Sequence, residues 1–143
     1  MKLGYIAVDL DTAQQAELIE SLKRLGVKHI DKYPYHCTLM YDEREHDVPR
    51  CDINRDRVFT AHVAGIKHLG DALAFTLNSK ELLDEFDRLR EAGYQHSYPD
   101  ILLHMSLTYE FDEYDRIKVE HHMTDWVGRE LKFSKETLAN LED

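Results

Sequence analysis

The chain has 143 residues, 43% hydrophobic and 32% charged, which supplies enough apolar material for one folded core and no long polar tract. Eighteen basic against 28 acidic residues leave a formal charge of −10. That balance argues against a partner with a long phosphate backbone, since such binding relies on Lys and Arg, but it is compatible with a small nucleotide in a locally positive cleft. No apolar run reaches the ~18–20 residues needed to span a bilayer, and the start MKLGYIAVDL lacks a signal peptide's pattern. The expected location is therefore the cytoplasm, away from membranes. Two cysteines without CxxC spacing argue against a disulfide scaffold or a cysteine-only zinc site. Cys37 is expected to be buried and Cys51 to lie in a loop.

In chain order, residues 4–10 alternate as a strand. Asp11-Thr12 then offers a helix cap, and Ala16, Ile19, Leu22 and Leu25 mark a helix that stops at Gly26. Residues 35–41 form a second strand. The charged segment 42–56, with Pro49, reads as a surface loop, and residues 57–71 hold another strand. The pattern then returns. Residues 72–94 align without gaps on 5–27, with Leu73, Phe75 and Leu77 on Ile6, Val8 and Leu10, Asn78-Ser79 on Asp11-Thr12, and Gly93 on Gly26. HMSLTY (104–109) aligns on HCTLMY (36–41), and 129–143 more loosely on 57–71. A short helix is expected around Tyr114–Met123. A shared register of caps, glycines and motif makes one domain, 1–143, from repeat copies of approximately 1–70 and 71–143. The predicted fold class is α+β: two pseudo-symmetric lobes, each an antiparallel sheet with helices on its outer face and an active-site cleft between them.

Strand alternation assigns directions. Ile6, Val8 and Leu10 face the helix, whereas Tyr5, Ala7 and Asp9 face away. The apolar set Tyr35, Cys37, Leu39 and Tyr41, and its counterpart Leu103, Met105, Leu107 and Tyr109, also face the helices. His36 with Thr38, and His104 with Ser106, project to the opposite face, so that facing lobes bring both pairs to one cleft. By the same parity Tyr41 and Tyr109 are core residues, and Phe75 is core by its register with Val8. Trp126, in a less clear segment, is a packing anchor or, as the rarer alternative, a surface that stacks on substrate.

A phosphodiester is cleaved by a base that takes a proton from the attacking hydroxyl or water and an acid that protonates the departing oxygen. Histidine, with an unperturbed pKa of ~6.5, serves as either near neutral pH. In-line displacement places the two groups on opposite sides of phosphorus, and hydroxyls two residues along each strand can donate to its non-bridging oxygens. A lone His-x-Thr/Ser tripeptide arises by accident among nine histidines. Two at equivalent places in a repeat are far more specific.

On these residues the chain resembles the 2H phosphoesterase superfamily, whose duplicated His-x-Thr/Ser signature HCTL and HMSL match. In size and charge it is most similar to the phage anti-CBASS phosphodiesterases that destroy cyclic-oligonucleotide signals of bacterial defence. The resemblance implies a bilobal antiparallel-sheet fold and metal-free phosphodiester chemistry without cofactor. It also implies catalytic roles for His36 and His104 and phosphate binding by Thr38 and Ser106.

Further substrate-binding candidates are Tyr5, as a stacking platform on the motif face, His62 and Lys132, as positive charge near phosphate, and Glu136, as acceptor from a base amino group. For each, an ordinary packing or surface role competes. The leading expectation is hydrolysis of small cyclic di- or trinucleotides. The alternatives are a nucleoside 2′,3′-cyclic or RNA-end phosphodiesterase, a 2′-5′ RNA ligase-like enzyme, and a non-catalytic protein that sequesters nucleotide. A metal site at His121-His122 is disfavoured, because adjacent side chains diverge and no HExxH or HxH pattern appears. The oligomeric state stays open.

Overall fold

The computed structural model describes residues 4–28, 30, 35–43, 53–97 and 101–139. Its elements are β1 (Tyr5–Leu10), α1 (Thr12–Leu25), β2 (His36–Tyr41), β3 (Phe59–Leu69), β4 (Ala72–Asn78), α2 (Lys80–Glu91), β5 (His104–Tyr109), α3 (Glu113–His122), a 3-10 turn (Thr124–Trp126) and β6 (Glu130–Ala139). The chain is thus α+β. Much of the loop expected at 42–56, Cys51 included, lies outside the described residues.

The helices begin and end where their chemistry dictates. The Asp11 carboxylate accepts from the Gln14 N–H at 3.2 Å, and the Ser79 hydroxyl accepts from Leu82 at 3.1 Å, each filling a donor the first turn leaves open. Gly26 closes α1 at φ 75°, a left-handed conformation that suits glycine. Of the predicted stripe Ala16, Ile19, Leu22 and Leu25, Leu22 is fully buried and Ile19 and Leu25 pack partly buried against the core, while Leu18 replaces Ala16. Repeated steps of three drift round a 3.6-residue helix, so Ala16 ends up exposed. In α2 the stripe is Leu82, Glu85, Phe86 and Leu89.

The strands pair antiparallel in the order β2-β1-β6-β3-β4-β5. Two separate sheets are predicted; the hydrogen-bond ladder is instead continuous, joined where Phe59–His62 of β3 pairs with Glu130–Phe133 of β6. The apolar strand residues form one core with Leu18 and Leu22 of α1 and Leu82, Phe86 and Leu89 of α2. Trp126 anchors this core as predicted, stacked on Phe75 at 5.8 Å between ring centres.

Although β2 and β5 are the outermost strands of the ladder, they lie against each other. The Tyr35 hydroxyl donates to the Leu107 carbonyl at 3.3 Å, and the buried Cys37 thiol lies near the His104 backbone N–H. The segments leaving the helices brace this seam reciprocally. After α1, the Lys28 carbonyl accepts from the Thr108 hydroxyl. After α2, Ser97 N–H donates to the Tyr41 carbonyl at 2.8 Å, and the buried Asp42 carboxylate accepts from Gln95 at 2.9 Å.

Each motif strand carries a bulge at the same place. Ile6 pairs with Met40 and Ala7 with Thr38, leaving Leu39 extra; Leu73 pairs with Thr108 and Ala74 with Ser106, leaving Leu107 extra. An extra residue reverses the alternation beyond it. Met40 and Thr108 therefore turn into the core, both 0% exposed, and the tyrosines that follow turn out of it.

Candidate functional site

The His-x-Thr/Ser halves of β2 and β5 precede the bulges and keep the predicted parity. Cys37, Leu39, Met105 and Leu107 are buried, while His36, Thr38, His104 and Ser106 are half-buried on the other side of their strands. Because β2 and β5 lie against each other across the seam, the two motifs run side by side.

His104 is oriented by its own strand. Its Nδ1 lies 2.8 Å from the Leu102 carbonyl, an oxygen that only accepts, so Nδ1 carries the proton and Nε2 is the nitrogen left for proton exchange. His36 pairs in the ladder with Asp9. That carboxylate shares the motif face, as the alternation of β1 placed it, although no role was assigned to it from sequence.

Tyr5 joins this group. Its hydroxyl stands 3.0 Å from the Thr38 hydroxyl, and its ring meets Tyr41 edge to face at 6.3 Å. Burial pushes the Tyr5 phenol above its usual value; the Thr38 hydrogen bond works the other way, and nearby Tyr109, Cys37 and Asp9 add to the rise. Tyr41 and Tyr109 are therefore not the core residues that simple alternation predicts. The bulges at Leu39 and Leu107 bring them to the side of Tyr5, with Tyr41 half-buried and Tyr109 44% exposed.

Other candidates lie elsewhere. The Lys132 ammonium is engaged by Glu130 at 2.9 Å and by the Thr60 hydroxyl at 3.0 Å. His62 lies 3.9 Å from the same Glu130 carboxylate. These residues group with one another where β3 meets β6, and the lysine's charge is balanced there.

Glu136 is wholly buried. Lys135 and Glu136 together oppose Val8, with Lys135 at φ 56°, so a third bulge turns Glu136 away from the face predicted for it. Its carboxyl accepts from the Asn54 N–H at 3.0 Å and adjoins Glu85, which Arg88 holds at 2.7 Å. Burial, then the Glu85 carboxyl, pushes Glu136 up to about 8. A protonated Glu136 is the donor that the carboxylate beside it needs, and its Oε2 has no other partner among the described residues.

His121 and His122 are exposed at the end of α3. Among the described residues no three His, Cys, Asp or Glu side chains gather as a metal would require. None of the described helices is long and apolar enough to cross a membrane.

Fold and site define an α+β protein with two His-x-Thr/Ser strands set side by side on a six-stranded antiparallel sheet. The family model described as "Anti-CBASS protein Acb1" matches residues 3–143, and the chain belongs to that family. It is 29% identical over 115 residues to the anti-CBASS protein Acb1 of Vibrio phage KVP40 (isolate Vibrio parahaemolyticus/Japan/Matsuzaki/1991), a match covering 74% of this chain and 72% of that protein.

Proposed function

We propose that this protein hydrolyses small cyclic oligonucleotides as a viral anti-CBASS enzyme acting in the host cytoplasm, by metal-independent acid–base catalysis of the 2H type. One observation carries the chemistry: the strands bearing His36 and His104 pack directly together through Cys37 and the His104 backbone. Membership of the Acb1 family supports the biological role. The strand order supports a two-lobed reading, since exchanging β1 with β4, β2 with β5 and β3 with β6 leaves it unchanged.

In this mechanism one imidazole removes the proton from the attacking water or ribose hydroxyl. The other protonates the ribose oxygen that leaves phosphorus. Thr38 and Ser106 donate to the non-bridging oxygens as charge builds on them. Tyr5 is a positioning residue: by donating to Thr38 it leaves the threonine's own proton for phosphate. No step routes through a metal.

A panel of cyclic di- and trinucleotides incubated with the protein in EDTA tests the proposal, with products resolved by chromatography and mass. Linear products are expected. Cleavage of nucleoside 2′,3′-cyclic phosphates alone would replace the substrate assignment, and tight binding without turnover would make the protein a sequestering one.

A further inference from the structure

A cavity of about 650 Å³ opens at the end of motif strand β5, lined by His68, Gly70, Asp71, Tyr109, Glu110 and Phe111. Its size suits a nucleoside. Tyr109 links it to the chemistry: this ring is near enough to Tyr5 to influence its phenol, and Tyr5 touches Thr38. Three local features build the cavity. The bulge at Leu107 turns Tyr109 out of the core. Glu110 then adopts φ 53°, uncommon for a residue with a side chain, and the chain doubles back so that Phe111 packs edge to face on His68 at 4.9 Å. Gly70, at φ 57°, makes the tight β3–β4 turn that presents Asp71 next to Ala72, the ladder partner of Tyr109.

The lining chemistry selects the ligand group. Among the described residues two carboxylates and no Lys or Arg line the cavity, a lining that disfavours phosphate there. The exposed Tyr109 ring and the half-buried Phe111 ring can accept a planar ring, and a carboxylate accepts from an amino group. A cyclic oligonucleotide with one phosphate at His36 and His104 must carry at least a second base away from them.

We propose that this cavity is the subsite for that second base: Tyr109 and Phe111 hold the plane of an amino-bearing nucleobase, and Asp71 accepts from its exocyclic amino group. The proposal rests on the phosphodiesterase reading for its ligand, but it is tested by binding rather than turnover. Calorimetry on the His104→Ala protein uses 3′,3′-cyclic diadenylate and the same ring built from purine riboside, which lacks the amino groups. Asp71→Asn is expected to weaken cyclic diadenylate about tenfold and the purine analogue less than twofold. Tyr109→Ala should weaken both about tenfold or more. Circular dichroism checks that each variant folds, and Asp71 lies on an exposed turn. Equal effects of Asp71→Asn on both ligands, no effect of either change, or no binding of any dinucleotide would overturn the subsite. Failure of the wild type to cleave any phosphodiester, with this binding pattern intact, removes the enzymatic reading and leaves the subsite standing.

Discussion

The Tyr5 hydroxyl lies 3.0 Å from the Thr38 hydroxyl, tying the first strand to the first histidine motif. Burial raises the phenol's pKa, so Tyr5 keeps its proton across the working pH range and can act as the donor of the pair. Tyr5→Phe retains the ring and deletes this bond, worth about 0.5–1.5 kcal/mol. Steady-state kinetics on a cyclic dinucleotide should show kcat/KM reduced roughly 3- to 10-fold, with stability lowered by no more than about 0.5–1.5 kcal/mol.

Glu136 ties stability to pH. Its folded value, about 8, exceeds its ordinary 4.5, so the folded state holds a proton that the unfolded chain releases. Its contribution is complete below about 4.5 and is lost as pH rises toward 8. Glu85 has the opposite sign. Burial alone would raise it, but Arg88 and the hydrogen bonds from Glu136 and Asn54 together outweigh burial and lower it, so its contribution is present above its ordinary value and lost on acidification. Glu136→Gln cannot ionise. Thermal melts across pH should show the alkaline decline flattened, with a gain on the order of a few kcal/mol at pH 8 to 9.

Cys37 reports on the seam between the motif strands. Burial pushes its thiol up to about 12, against a small opposing effect of the His104 N–H, so it is a poor nucleophile while folded. In a Cys51→Ser background, iodoacetamide at pH 8 should leave Cys37 unmodified without denaturant and label it fully when unfolded. Native labelling at a model-thiol rate would show that the motif strands part readily.

Gly4 precedes Tyr5, and a β-carbon there would collide with the Asp42 carbonyl. That contact accompanies the Asp42 N–H to Gly4 carbonyl bond at 2.9 Å, which closes the open end of the β1–β2 pair. Gly4→Ala should cost about 1–3 kcal/mol in denaturant unfolding.

Much of the site was legible from period-two alternation, because His36, Thr38, His104 and Ser106 all precede the bulges. Parity also placed Tyr5 correctly. It failed at Tyr41, Tyr109 and Glu136, each beyond an extra residue that reverses the strand's faces. A bulge is set by pairing with a neighbouring strand, so no local pattern announces it. The aligned Leu39 and Leu107 become a signal only once the repeat is known to conserve the irregularity. Lys132 misled for another reason: charge alone did not reveal Glu130 beside it. The meeting of β2 and β5 is likewise a long-range event, and only the duplicated motif hinted at it.

The most direct test measures single-turnover cleavage of a cyclic dinucleotide across pH by wild type, His36→Ala, His104→Ala and the double variant, all in EDTA. If the two imidazoles work as one acid–base pair, wild type gives a bell-shaped profile. Each single variant then loses about 10²–10⁴-fold, and the double variant falls little further. A single variant that cleaves at the wild-type rate, with its profile intact, would contradict the account.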